Sequence, residues 1–259
     1  MMFIFVGIFF VFGLIIGSFL NVVILRLNTG RSFDGRSGCM SCMHKLSWYE
    51  LIPVFSFLGL GGRCKDCKSK ISIQYPLVEF ITGVIFALLF FKFQELFYYN
   101  IFVFGFTFFY YAFAFSLLFV ITVYDLRHKI IPDSLAIIFG LLAFLGLFLF
   151  NNTIFSFHIP TLADFSAGFL IALPFALFWF VSSGRWMGLG DAKLAVGLGW
   201  LLGMSQVFSA TVIAFWIGAI IGLLLVIFSK RYGMKSEIPF APYLVLGGLL
   251  VFLFELHLF

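Results

Sequence analysis

Residues 1–25, MMFIFVGIFFVFGLIIGSFLNVVIL, contain no charged side chain. A helix needs about 20 mostly apolar residues to cross the roughly 30 Å hydrocarbon core of a bilayer, and this stretch is longer than that. It has no basic residue before it and exceeds the apolar region of a cleavable signal peptide, which spans about 7–15 residues. The stretch therefore predicts a first transmembrane helix that is retained in the protein.

The composition of the whole chain agrees with this beginning. Of 259 residues, 63% are hydrophobic and only 10% are charged, whereas soluble domains have roughly 25% charged residues because their surface faces water. A surface this poor in charge must face lipid, so the lipid bilayer is an expected partner and nucleic acid is not. The 41 Phe side chains are interpreted as lipid-facing bulk and not as a cofactor site.

The apolar stretches predict an all-α polytopic membrane protein of about eight transmembrane helices, because open strands would leave backbone groups unpaired in lipid. The border between the sixth and seventh spans depends only on the sequence GMSQ at 203–206. The predicted spans are 3–25, 76–94, 99–124, 134–150, 162–182, 192–204, 207–228 and 240–258.

The basic residues predict the orientation. If the 26–75 segment is cytoplasmic, 15 of the 16 Lys and Arg fall on that side and only Lys92 lies near the other, as the positive-inside rule requires. Both termini are then expected on the outer side. The 15 residues are Arg26, Arg31, Arg36, Lys45, Arg63, Lys65, Lys68, Lys70, Arg127, Lys129, Arg185, Lys193, Lys230, Arg231 and Lys235.

This arrangement predicts three parts: a first helix at 1–25, a cytoplasmic loop domain at 26–75, and a seven-helix membrane domain at 76–259. The loop domain of about fifty residues is near the lower limit for folding on apolar burial alone, so a covalent or metal staple is expected.

Four cysteines in two Cys-x-x-Cys pairs supply the staple. Cys39, Cys42, Cys64 and Cys67 have the spacing of a tetrahedral structural zinc site, and a cytoplasmic loop disfavours disulfides. Redox-active thiols and free cysteines are the alternatives. His44 beside the first pair is a rival ligand, although a surface position is favoured.

Asp125 and Asp191 are the acidic residues that suggest chemistry. Asp125 follows the third span and Asp191 precedes the sixth, on the same face of the membrane, where ionisable groups mark a site or a pathway. Two carboxylates brought together share a proton, so that one serves as base and the other as acid toward a water molecule.

Simpler interpretations compete for each acidic residue. A lone Asp at a helix end is usually a cap or a solvated group; Asp133, in Pro132-Asp133-Ser134, and Asp164 are predicted to be such caps.

Glu79, just inside the second span, is either an interfacial carboxylate or a polar group lining a substrate entrance. Lys193 either stabilises a carboxylate or extends to lipid phosphates, and the latter is favoured.

Seven sequence motifs follow one another along the chain. They are GSFLNVVILR at 17–26, the two Cys-x-x-Cys pairs, WYELIP at 48–53, SIQYPLVE at 72–79, Asp-x6-Pro-Asp at 125–133, GLGDAKL at 188–194 and IPFAP at 238–242. In order and spacing they resemble the bacterial prepilin peptidases, bifunctional leader peptidases and N-methyltransferases of type IV pilus and type II secretion systems. Leu189 occupies a place where Met is frequent in that family.

The resemblance implies that Asp125 and Asp191 are the catalytic aspartates of an inner-membrane endopeptidase. Its implied substrates are prepilins and pseudopilins, cut at a Gly–Phe junction and then methylated on the new amine with S-adenosylmethionine. The residues that bind S-adenosylmethionine stay unassigned, and Glu50 is a weak candidate for the methyltransferase half. The intact cysteine loop favours the bifunctional type over a peptidase-only relative.

Two further function classes compete with this enzyme. In a small ion transporter, Asp125 and Asp191 would form a cation relay; transporters, however, usually show related halves and broken helices near the midplane, whereas both aspartates are predicted at one edge. A thiol redox centre anchored by the helices is the third alternative. The oligomeric state is not indicated by the sequence.

Overall fold

The fold is described from a computed structural model that covers residues 2–30, 32, 35–151, 153–229, 233 and 237–257. These residues divide into two compact units, Met1–Tyr98 and Tyr99–Phe259. Both units are helical, and the single two-stranded sheet found among the described residues is a short hairpin. The predicted all-α class is therefore confirmed.

The first unit contains two long helices and the segment between them. These are α1 (Met2–Arg26) and α3 (Gln74–Tyr99), with a short 3-10 helix (Trp48–Leu51) and α2 (Phe55–Gly59) in the segment. The two long helices pack closely because glycines let their backbones approach: a Cβ atom at Gly17 would lie 2.7 Å from the Cα atom of Glu79. Phenylalanine rings fill the rest of the seam, as where Phe9 stacks on Phe90 with centroids 4.6 Å apart.

The second unit contains six helices and the hairpin. Helix α4 packs against α5 and α9, α5 and α6 pack against α7, and α8 packs against α9. The elements are α4 (Ile101–His128), α5 (Asp133–Leu149), β1 (Phe150–Asn151), β2 (Ile154–Phe155), α6 (Leu162–Ser182), α7 (Leu189–Leu202), α8 (Met204–Phe228) and α9 (Ala241–Phe254).

Helix α7 is short and packs tightly in the second unit. A Cβ atom at Gly199 would lie 2.5 Å from the Cα atom of Gly168 on α6, and one at Gly197 would lie 2.6 Å from the ring of Phe139 on α5. Small residues at such contacts are typical of helices that associate in membranes, where close backbone approach increases van der Waals contact. The glycines of α7 thus fix its position between α5 and α6.

Each of the eight predicted spans corresponds to a helix. Five of these helices, α1, α3, α4, α6 and α8, are long and apolar enough to cross a membrane, and α5 and α9 are shorter apolar helices. The predicted border between the sixth and seventh spans is also present, because Gly203 alone separates α7 from α8. The chain is thus a multi-pass membrane protein.

The two predicted caps have different outcomes. Asp133 is the first residue of α5 and not its cap, because Pro132 takes the cap position and no side chain bonds the free N–H groups there. The N-cap interpretation was therefore wrong, whereas a solvated position at a helix start is confirmed, since the Asp133 side chain is exposed. Asp164 does cap the start of α6. It occupies the third helical position and forms a capping box with the N-cap residue Thr161.

Candidate active site and cysteine cluster

Asp125 lies in the last turn of α4 and is only 4% exposed. Helix α4 ends at His128, and Lys129 adopts a left-handed conformation with φ of 54° while its N–H donates to the Asp125 carbonyl oxygen at 2.7 Å. The carboxylate faces the backbone N–H of Ala241, the first residue of α9. A helix N-terminus is favourable for an anionic group, so α9 contributes to the setting of Asp125.

Asp191 is also buried and lies in the first turn of α7. It occupies the third helical position after the N-cap residue Gly188, and its carboxylate interacts with the Gly188 backbone N–H. An acidic residue at this position satisfies an N–H that the helix leaves free. The sequence predicted that the sixth span begins after Asp191, whereas the helix already includes this residue.

The structure brings the two predicted aspartates together. They are close enough for the charge of Asp125 to act directly on Asp191. The approach of α7 depends on Gly190, because a Cβ atom there would lie 2.9 Å from the Cβ atom of Ile131 in the connection after α4. The absence of a side chain at Gly190 therefore allows the start of α7 to lie this close to Ile131.

Two buried carboxylates whose charges interact have a defined chemical capacity. Like charges at such a site disfavour double ionisation, so a pair of this kind can share one proton, with one carboxylate serving as the base and the other as the acid. A water molecule between such groups can be activated for attack on a carbonyl carbon. The arrangement can therefore perform hydrolysis by acid–base chemistry.

The four cysteines form one cluster in the first unit. All four sulfur atoms lie within 4.8 Å of one another and none is in a disulfide. The Cys39–Cys67 and Cys42–Cys64 sulfur atoms are 3.7 and 3.9 Å apart. Four sulfurs around a zinc ion at about 2.3 Å would be separated by about 3.8 Å, so the donor set fits a tetrahedral metal ion.

The backbone follows the same path through both Cys-x-x-Cys pairs. The residue after the second cysteine, Met43 or Lys68, has φ of 59° in each pair, and its N–H donates to the carbonyl of the first cysteine. A single antiparallel bridge closes each turn, Gly38 with Lys45 and Arg63 with Lys70. The two pairs are therefore equivalent knuckles that contribute two sulfurs each.

Hydrogen bonds favour the thiolate form, which binds metals, at Cys39 and Cys67, whereas burial and the neighbouring thiols raise the pKa of Cys42 to about 12. The backbone N–H groups of Cys42 and Ser41 lower the pKa of the Cys39 thiol to about 5. The Ser69 hydroxyl likewise lowers the pKa of Cys67. Because neighbouring thiolates repel one another, a bound cation is the natural partner of this cluster.

His44 is not a member of the sulfur cluster. Its Nε2 atom is 3.2 Å from Glu50 and its Nδ1 atom is 2.8 Å from Asp66, so the ring joins the first knuckle to the second and to the 3-10 helix. Glu50 is buried and accepts the Ser47 N–H at 2.8 Å, which, with the ring of His44, lowers its pKa. These contacts give Glu50 a structural role within the loop.

Lys193 forms an ion pair with Asp133, with 2.6 Å between Nζ and Oδ1. The pair links the start of α7 to the start of α5. The lysine thus stabilises a carboxylate, as one of the two predictions allowed, but that carboxylate is Asp133 and not Asp191. Extension to lipid phosphates, the favoured alternative, stays a prediction.

Two positions at the site were missed as functional contributors. Ala241 acts through its backbone N–H and Ile131 through its side-chain bulk, and neither residue type carries a chemical signal. The only signal in the sequence was their presence in the quoted motifs, Ile131 before Pro132 and Ala241 within IPFAP.

Comparison with known proteins gives a consistent result. The bacterial peptidase A24 N-terminal domain matches residues 11–93, and the type IV leader peptidase family matches residues 112–223. No solved structure is significantly similar to the chain.

Curated relatives are similar over nearly the whole chain. The prepilin leader peptidase/N-methyltransferase of Xanthomonas campestris is 31% identical, covering 93% of this chain and 88% of the relative. The Bacillus subtilis protein of the same name is 32% identical, covering 96% and 94%. With such coverage on both sides, and with both family domains matched in order, this chain belongs to the type IV leader peptidase family.

Proposed function

We propose that this protein is a membrane aspartyl endopeptidase that removes the leader peptide from type IV prepilins and type II secretion pseudopilins. Cleavage occurs at a Gly–Phe junction, and the protein then N-methylates the new terminal residue with S-adenosylmethionine as the methyl donor. The observation that carries the peptidase activity is the buried pair Asp125 and Asp191 in one compact unit. The substrate and the second activity are supported by the names of the relatives.

The aspartate pair performs the hydrolysis without a covalent intermediate. The ionised member takes a proton from a water molecule, whose oxygen attacks the scissile carbonyl carbon. The protonated member donates a hydrogen bond to the carbonyl oxygen and then transfers its proton to the leaving amine. Burial of both groups excludes bulk water and strengthens these interactions.

The cysteine cluster binds a structural zinc ion in this proposal. Cys39, Cys42, Cys64 and Cys67 would hold the ion in a closed site, in which zinc stabilises the fold and leaves no open coordination position for a substrate. The basic residues of the loop support a cytoplasmic location for it, with both termini outside. The division into 1–25, 26–75 and 76–259 is likewise part of the proposal.

The alternatives are less well supported. An ion transporter with Asp125 and Asp191 as a relay has no counterpart among the named relatives, all of which are peptidases. A peptidase-only enzyme would not need the residues matched by the N-terminal family domain, which include all four cysteines. S-adenosylmethionine-binding residues stay unassigned.

One reconstitution tests both activities. The purified full chain in lipid nanodiscs is incubated with a prepilin and S-adenosylmethionine, and the products are separated by mass. The expected product is a shortened pilin with one added methyl group on its N-terminal Phe. An uncut prepilin would overturn the peptidase, and a cut but unmethylated product would overturn the methyltransferase.

A further inference from the structure

A polar cluster lies inside the close-packed seam of α1 and α3, in the first unit. Asn21 is in the last two turns of α1 and Glu79 is in the first two turns of α3, so both lie at the helix ends that the cysteine segment connects. Asn21 is 2% exposed and Glu79 is 8% exposed. Neither side chain has a role in the aspartate site or in the sulfur cluster.

The side-chain oxygen of Asn21 accepts no hydrogen bond from the described residues. Its Nδ2 group donates to the Tyr75 carbonyl at 3.0 Å, and since that carbonyl can only accept, the orientation of the amide is fixed. The Oδ1 atom is then buried, and no residue that the structure describes donates a hydrogen bond to it. A buried acceptor of this kind costs about 1–3 kcal/mol unless a donor reaches it.

Glu79 hydrogen-bonds to a strained turn in the segment that connects α1 to α3. Its Oε2 atom accepts the Val54 N–H at 2.7 Å, and the Ser18 hydroxyl interacts with the same carboxylate. Val54 has φ of 61° and ψ of −50°, an unfavourable conformation for a β-branched residue. Strain of this kind is concentrated at functional sites, where surrounding contacts maintain it.

The cluster has more acceptors than donors. The carboxylate can accept about four hydrogen bonds and the amide oxygen two more, whereas the described residues supply only the Val54 N–H and the Ser18 hydroxyl as donors. The complementary ligand carries several N–H donors and a positive charge. A primary amine in its ammonium form has three donors on one atom and meets that description.

We propose that Asn21, Glu79 and the turn at Val54 bind the terminal amino group of the cleaved substrate, the acceptor of the methyl group. The inference rests on the proposed function, which produces such an amine and then methylates it. Before transfer, the ammonium releases one proton to water and so regains a lone pair on nitrogen. That lone pair bonds to the methyl carbon, the electron pair of the breaking C–S bond stays on the donor sulfur, and Glu79 stabilises the positive charge that the nitrogen acquires.

Glu79→Gln is the decisive variant, because glutamine keeps an oxygen for the Val54 N–H while it removes the charge and replaces one acceptor oxygen with an NH2 donor group. The first measurement is the affinity of the full-length protein in nanodiscs for an apolar peptide that begins with Phe, compared with its N-acetylated form. We expect the wild type to prefer the free amine by roughly tenfold or more, and E79Q to lose this preference. Zinc content and thermal stability verify that E79Q is folded.

The second measurement uses a precleaved pilin as methyl acceptor. E79Q should lower kcat/KM for methylation by roughly tenfold or more, while its cleavage of intact prepilin stays within about twofold of the wild type. Thr82→Val is the matched control in the same seam, since the Thr82 hydroxyl is satisfied within its own helix by the Val78 carbonyl at 2.8 Å. It should leave the amine preference and both activities unchanged.

The outcomes separate this site from the proposed function. If wild-type protein binds free and acetylated peptides equally, or if E79Q keeps the preference, the amine site is overturned even though the wild type methylates. If the wild type methylates nothing, the methyltransferase is overturned, and the affinity ratio still decides whether the amine site exists.

Discussion

Asp125 and Asp191 interact with backbone N–H groups, those of Ala241 and Gly188, and no charged side chain among the described residues pairs with either of them. Replacing either with Asn keeps the shape and removes the proton exchange, so we expect leader cleavage to fall by at least 10²–10⁴-fold, the usual contribution of a positioned acid or base. Cleavage of prepilin by the purified variants measures this. Each variant should remain in the membrane in normal amounts.

Asp133→Asn is the matched control for these variants. Asp133 belongs to the same motif as Asp125, but its side chain is exposed and its partner is Lys193. Exposed ion pairs contribute at most about 1 kcal/mol, so cleavage should change by less than about twofold. Full activity in Asp125→Asn or Asp191→Asn would contradict the assignment of the pair.

Gly190 is a spacing residue, and its replacement by Ala should separate the two carboxylates. The added Cβ atom would meet the Ile131 Cβ atom at 2.9 Å, so the start of α7 must shift. A displacement of about 1 Å near a reacting group can lower the rate by 10²-fold, and we expect cleavage to fall by about 10–100-fold. Steady-state kinetics on prepilin would show this as a lower kcat.

Gly105→Ala is the control for this substitution. Gly105 is also a helical glycine of the second unit, and a Cβ atom there meets nothing within 4 Å. Alanine favours a helix over glycine by about 1 kcal/mol, so the control should be active and slightly more stable. Equal activity of G190A and G105A would show that the contact with Ile131 does not position α7.

At the scale of single residues, the sequence predicted the aspartates and cysteines that carry reactive groups, but not the residues that position them. The two aspartates and four cysteines were identifiable from residue type and spacing. Ala241 and Ile131 act through backbone geometry and bulk, and they reach the site from other parts of the chain. Such long-range packing has no local sequence signal.

At the scale of elements, hydropathy predicted the existence of every long helix but not all the boundaries. Helix α3 continues to Tyr99, so Asn100 alone joins it to α4, whose first N–H groups it caps. Helix ends depend on such caps, which hydropathy does not detect. The hairpin of β1 and β2 was missed because its strands have two residues each.

In the proposed function, the two knuckles depend on the zinc ion for their stability. Cys64 is buried, so Cys64→Ser removes one of four ligands from the interior of the cluster. We expect the variant to contain less than one zinc per chain and its 26–75 segment to become sensitive to protease, since a structural zinc site provides folding free energy. Elemental analysis and limited proteolysis measure the two effects.

Met40→Ala is the corresponding control, because Met40 lies between the two cysteines of the first knuckle and is exposed. It should keep its zinc and its resistance to protease. Prolonged treatment of wild-type protein with a strong chelator should reproduce the Cys64→Ser result. Unchanged metal content in Cys64→Ser would count against the zinc site.

For the whole molecule, the distribution of basic residues predicts one orientation. Reporter fusions within the connections at 26–73 and 129–132 should give fluorescent protein and no alkaline phosphatase activity, because these regions carry most of the Lys and Arg. Fusions within 156–161, which has no Lys or Arg, should give the opposite result. Phosphatase activity from a fusion in the cysteine loop would reverse the proposed topology.

The equivalent knuckles have a consequence for synthesis of the chain. The backbone hydrogen bonds that close them all lie between Ser37 and Ile71, and each spans fewer than ten residues, a range over which contacts form fastest during folding. Helix α3 begins only at Gln74. A nascent chain therefore exposes all four sulfur ligands and both turns before its second long helix, α3, has emerged from the ribosome. Metal capture can then precede the emergence of the helices that carry the aspartates.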